Sequence, residues 1–79
     1  MDNKEKLISA FAEALMVDKK IVIDTLEYQS IPEWDSISHM VLITELEDVF
    51  DISIDTDDVV DMSSVAKAKE IIAKNGIEL

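Results

Sequence analysis

Glu33-Trp34-Asp35-Ser36-Ile37-Ser38-His39-Met40-Val41-Leu42-Ile43-Thr44-Glu45-Leu46-Glu47-Asp48-Val49-Phe50 reads as a single helix with a marked beginning. Asp35 is of the residue type that caps helix starts. Pro32 lies just upstream and biases its predecessor away from helical angles. From Ser36 to Phe50, the side chains of Leu42, Ile43, Leu46, Val49 and Phe50 fall on one stripe, which a helix in a small bundle buries. Ile37, Met40 and Val41, extended by Thr44, form a second apolar group at i, i+3, i+4 and i+7, largely off that stripe. Glu45, Glu47, Asp48 and Asp51 ring its lower part. An apolar strip rimmed by acids suits docking against other proteins better than packing beneath a loop.

Working upstream, a first helix is expected from Asp2, with Glu5 three residues on as in a capping box. Leu7, Ile8, Phe11, Ala12 and Leu15 share one of its faces, and the pattern stops near Met16-Val17-Asp18. Residues 17–35 are then a long connection carrying Ile21, Val22, Ile23, Leu26, Tyr28, Ile31 and Trp34. So many apolar residues imply that it is pinned across the core. Ile21-Val22-Ile23 has no partner strand in view and reads as loop, and Trp34 reads as packed on this connection. Downstream, residues 51–55 form an extended link with Ile52 and Ile54 as buried candidates. A short helical turn near Thr56 to Asp61 follows, capped by Asp55. A last helix after Ser63-Ser64 carries Val65, Ala68, Ile71 and Ile72 on one face and ends at Asn75-Gly76. The fold expected is all-α: a four-helix bundle of three main helices and one short helix.

A chain of 79 residues is expected to be one domain, burying only about 60–65% of the surface its unfolded form exposes. With no cysteine, neither disulfides nor thiolate-bound zinc supplement the core. The single Gly and single Pro disfavour an all-β fold, which needs frequent turn residues. The segment from Met1 to Lys6 does not read as a signal peptide, nor any stretch as a membrane span, so a cytoplasmic location is expected. The formal charge is −11, and its distribution matters more than its size. Between Lys20 and Lys67 lie twelve Asp or Glu residues and no base. Nucleic acid and anionic membranes both demand positive charge and are excluded as partners. Basic protein surfaces reached by electrostatic steering fit instead.

Ser36 stands where loop becomes helix. Unpaired amides and the positive end of the helix dipole favour a phosphate there, so a serine at this position is a sensible anchor for a phosphodiester. By itself the signal is weak, because serine at a helix start is most often a cap. Over residues 33–40 the chain resembles the Asp-Ser-Leu attachment motif of acyl and peptidyl carrier proteins, in the Trp-Asp-Ser form. The resemblance continues through Leu42-Ile43, Leu46-Glu47-Asp48-Val49-Phe50 and Ile52-Ser53-Ile54-Asp55 into the last helix. Residues 1–16 match in helical character only.

The resemblance implies that Ser36 receives phosphopantetheine from coenzyme A through a magnesium-using phosphopantetheinyl transferase. It also implies that Asp35 helps present the serine. Ile37, Met40, Val41, Glu47 and Asp48 would lie on the partner-recognition helix. Leu46, Ile54, Val59, Met62 and Ala68 would lie near where acyl chains tuck into the bundle. On this basis the chain is expected to be a free-standing, monomeric carrier with no catalytic residues and no metal of its own. It would hold acyl or related intermediates as thioesters and shuttle them between loading and transferring enzymes with basic docking surfaces. Three departures qualify this. Ile37 replaces the usual Leu, and Ser38 and Val41 stand where fatty-acid carriers place acids. The Ser-His-Met run resembles carriers of specialised pathways, which implies a dedicated loading enzyme.

Three other readings compete. Asp35, Ser36 and His39 could form a nucleophilic set, since Ser36 and His39 are i, i+3 on one turn. A hydrolase also needs an oxyanion hole and a pocket, for which a thin core leaves little room, and His39 reads as a partly buried packing residue. Asp51, Ser53, Asp55 and Asp57 have the spacing of a calcium loop. Thr56 and Met62, however, stand where that loop requires Gly and Glu, leaving only weak, unspecific divalent binding. Finally, an acidic protein-interaction module could use the same apolar strip without any prosthetic group.

Overall fold

A computed structural model describes residues 2–79, and Met1 lies outside the described residues. The chain forms α1 (Asn3–Leu15), α2 (Ser36–Phe50), α3 (Thr56–Asp61) and α4 (Val65–Lys74). This is the all-α bundle of three main helices and one short one that the periodicity predicts. A 3-10 turn at Lys19–Ile21 lies within the long connection. Among the described residues, no helix is long and apolar enough to cross a membrane.

The starts of α1, α2 and α4 are built by the chain's own polar side chains, whereas Asp55 stands at the N-cap of α3 without a side-chain capping bond. The Asp2 carboxylate accepts from the Glu5 amide at 2.8 Å. Among the described residues only this half of the expected capping box forms, because the Glu5 carboxylate turns to the Lys19 ammonium at 3.3 Å instead. At α4 the Ser64 hydroxyl accepts from the Lys67 amide at 3.0 Å. The ends of α1 and α2 are closed by Met16 and Asp51, each in the left-handed region with φ of 58° and 53°. This non-glycine conformation is tolerated because each cap amide still reaches a helix carbonyl, that of Ala12 or Glu47.

The core is one cluster. α1 contributes Leu7, Ala10, Phe11, Ala12 and Leu15, α2 contributes Leu42, Ile43, Leu46 and Phe50, and α4 contributes Val65, Ala68, Ile71 and Ile72. Val22, Leu26 and Trp34 enter it from the connection. Of the Ile21-Val22-Ile23 run only Val22 is buried, because the 3-10 turn sends its neighbours outward. Trp34 is fully buried, meeting the edges of Phe11 and Tyr28 at centroid distances of 5.4 and 6.1 Å. It packs in the interior, as expected.

Backbone bonds hold the connection in place. Leu26 accepts from the Val65 amide at 3.0 Å, Tyr28 donates to the Ser63 carbonyl at 2.9 Å, and Asp24 accepts from the Ala66 amide at 3.2 Å. The Lys69 ammonium meets the Asp24 carboxylate at 2.6 Å. A stretch without regular structure therefore satisfies its own polar groups and the first amides of α4 together.

Candidate functional site

Asp35 organises the start of α2. One oxygen, Oδ1, accepts from the Ile37 amide at 3.1 Å and the Ser38 amide at 2.9 Å. The Ser38 hydroxyl accepts in return from the Asp35 amide at 2.9 Å, completing a capping box. It also donates to the Glu33 carbonyl at 2.6 Å. These bonds hold the Asp35 carboxyl below its ordinary value of 3.8, with the Ser38 amide the largest cause. The Ser38 hydroxyl thus has a structural task at the start of α2.

This arrangement corrects one part of the sequence argument. The amides of Ile37 and Ser38, expected to be open to a phosphate, are already taken by a carboxylate. What Ser36 offers is access. It is exposed on the first turn of α2, and its hydroxyl enters none of the side-chain hydrogen bonds among the described residues.

Ser36 also borders a groove of about 400 Å³, lined with Tyr28, His39, Met40, Val59, Val60, Met62 and Ser63. Apart from the two serines and the polar tips of Tyr28 and His39, these walls are aliphatic or thioether side chains. One wall is α2 and the other is α3 with the two residues that follow it. Of the residues expected near an acyl chain, Val59 and Met62 line this groove. Leu46, Ile54 and Ala68 do not line it and are core residues, with Leu46 and Ala68 fully buried. Tyr28 and His39 were not anticipated in the lining. Their aromatic contact, at a centroid distance of 5.1 Å, joins residues 11 apart in the chain and has no sequence signature.

The proposed docking residues divide into two kinds. Ile37, Met40 and Val41 are exposed at 77%, 55% and 49%, so the second apolar group of α2 faces outward rather than beneath the connection. Val60 of α3 is likewise exposed. Asp48 is exposed, whereas Glu47 is partly buried and its carboxylate accepts from the Ile54 amide at 2.8 Å. Glu47 therefore fastens the link between α2 and α3, a task its position in the acidic rim does not announce.

The lysines do little to offset the acids of this face. Lys19, Lys67, Lys69 and Lys74 pair with Glu5, Asp61, Asp24 and Asp58. Asp48, Asp51, Asp55 and Asp57 are exposed and have no lysine partner among the described residues. The Lys74 ammonium is raised above its ordinary value, first by its hydrogen bond to Asp58.

No family model matches the chain, and no curated protein matches it.

The geometry bears on the two competing chemistries. His39 accepts from the Trp34 indole N–H through Nδ1 at 2.9 Å, and its Nε2 meets the Val59 carbonyl at 2.8 Å. A carbonyl only accepts, so Nε2 carries the proton and both ring nitrogens are engaged. His39 makes no hydrogen bond to Ser36, and in this arrangement it has no free nitrogen to serve as the serine's base. Among the described residues, no group of three or more His, Cys, Asp or Glu side chains comes together as an ion site. Asp51 closes α2 through its backbone amide with φ of 53°, and Ile54, between Ser53 and Asp55, is buried in the core.

Proposed function

We propose that this chain is a carrier protein of the acyl carrier kind, bearing a phosphopantetheine arm on Ser36 and holding acyl or related intermediates on it. The observation that carries the reading is the pairing of an exposed serine hydroxyl at the start of α2 with an apolar groove of about 400 Å³ beside it. Attachment requires an oxygen that a partner enzyme can reach without unfolding the bundle, and Ser36 meets that requirement. In the transfer, Ser36 Oγ bonds to the phosphorus next to the pantetheine of coenzyme A. The pyrophosphate bond breaks, 3′,5′-ADP leaves, and the serine proton passes to a base of the transferase. The arm supplies the thiol that carries the cargo.

This chain's own residues do the rest. Asp35 and Ser38 hold the first turn of α2 rigid around the attachment point. Ile37, Met40 and Val41 offer an apolar docking strip, and the unpaired acids around it favour partners with basic surfaces. The groove offers a short apolar cargo partial shelter from water. The absence of acids at Ser38 and Val41 supports a dedicated carrier of a specialised pathway, with poor elongation by fatty-acid enzymes as its expected property.

The deciding experiment incubates the protein with coenzyme A and a broad-range phosphopantetheinyl transferase, followed by intact mass measurement. The expected result is one added arm in the parent and none in Ser36→Ala. An unmodified parent would overturn the reading in favour of an acidic interaction module, to which the exposed strip of α2 is equally suited.

A further inference from the structure

The groove has one firm wall and one lightly held wall. α2 is anchored by four buried side chains, whereas six-residue α3 buries only Asp58 and has no side-chain bond at its N-cap. Outside its own backbone ladder, α3 is tied on one side to α4 by Asp58, whose carboxylate takes the Lys74 ammonium at 2.7 Å, and by exposed Asp61, which pairs with Lys67 at 3.3 Å. On the other side it is tied by the Val59 carbonyl, which accepts from His39. Such a carbonyl near a helix end has no partner within the helix and must find one elsewhere. His39 therefore bridges three parts of the molecule: α2, on which it sits, the buried indole of Trp34 and the α3 wall of the groove.

We infer that His39 is a positioning residue whose neutral, Nε2-protonated ring sets the width of the groove beside Ser36 and releases the α3 wall when Nδ1 takes a proton. The inference deepens the proposed function by naming the regulation of its site. The reason lies in donor counting. Among the described residues the Trp34 indole N–H has no oxygen or nitrogen partner but Nδ1, and Trp34 is fully buried. A proton on Nδ1 puts two N–H donors face to face across a 2.9 Å contact. The ring must then leave, or a buried donor goes unpaired.

No charged neighbour stands ready to absorb the new charge. From the connection, Tyr28 faces the ring. On α2, the Asp35 carboxylate is turned to the amides of Ile37 and Ser38. On α3, the contact is the uncharged Val59 carbonyl, and Asp58 is turned to Lys74.

The test uses the unmodified full chain, so its outcome is independent of whether Ser36 accepts an arm. The Trp34 indole proton and the amide protection factors of residues 59–62 are followed by NMR between about pH 8 and about pH 5. His39→Gln serves as the non-titrating comparison, since its amide keeps one acceptor and one donor. In the parent, acidification should shift the indole proton and lower protection at 59–62 by about fivefold, the equivalent of one lost hydrogen bond. α1 protection should hold, and His39→Gln should show neither change. An indole signal that stays still across this pH range overturns the inference. So does an equal loss of protection in His39→Gln. Should mass measurement show no arm on Ser36 while the NMR response persists, the carrier reading fails and the latch stands.

Discussion

Asp58 on α3 and Lys74 in the last turn of α4 meet at 2.7 Å, and the aspartate is only 8% exposed. A mostly buried carboxylate depends on its counter-charge far more than an exposed one does. Lys67 forms a longer pair, 3.3 Å, with exposed Asp61. Thermal melts should therefore rank Lys74→Met as clearly less stable than Lys67→Met, which should match the parent closely. Equal melting temperatures for the two variants would show that Asp58 is reached by water.

The two faces of α2 should respond in opposite ways. Leu42 is fully buried, and Leu42→Ala is expected to cost about 2–5 kcal/mol in urea unfolding. Ile37 is mostly exposed, and Ile37→Glu should stay within about 0.5 kcal/mol of the parent. The same Ile37→Glu should nevertheless slow modification by a transferase, which intact mass against time would measure. A large stability loss in Ile37→Glu would mean that the strip packs against its own chain.

Asp35 makes the α2 cap sensitive to pH. Its carboxyl lies below its ordinary value of 3.8 in the folded chain. The stability it adds is thus complete above that value and is lost as pH falls through the depressed one. Asparagine caps helices about as well but carries no charge. The parent should be more stable than Asp35→Asn near neutrality, and the difference should shrink towards zero in acid. Chemical denaturation at several pH values checks this, and a pH-independent difference would count against it.

The Ser9 hydroxyl on α1 is buried without a hydrogen-bond partner among the described residues. An orphaned polar atom pays its desolvation cost, and serine is a poorer helix former than alanine. Ser9→Ala is expected to stabilise the chain by about 1 kcal/mol in denaturant titration. Destabilisation would reveal a partner for that hydroxyl in solution.

Much of the architecture is legible in the residues because its causes are local. Asp35, Asp55 and Ser64 mark helix starts, and the stripes of α1, α2 and α4 mark the core. Ser36 stands out for the same reason, since a helix junction can be read from its neighbours. What could not be read depends on groups distant in sequence. Nothing near Glu47 signals the Ile54 amide, and nothing near His39 signals that Trp34 and Val59 converge on its ring. Burial by periodicity also does not say whether a residue borders a cavity. That is why the resemblance groups Leu46, Ile54 and Ala68 with Met62, while only Met62 of these four borders the groove.

The bonds from Asp24, Leu26 and Tyr28 to residues 63–66 and Lys69 make the long connection a seam rather than a slack tether. Unstitching it would leave the opening amides of α4 bare. A protease that needs several residues of loose chain should thus find this stretch a poor target despite its lack of regular structure. A single cut there would propagate into the far helix instead of passing unnoticed.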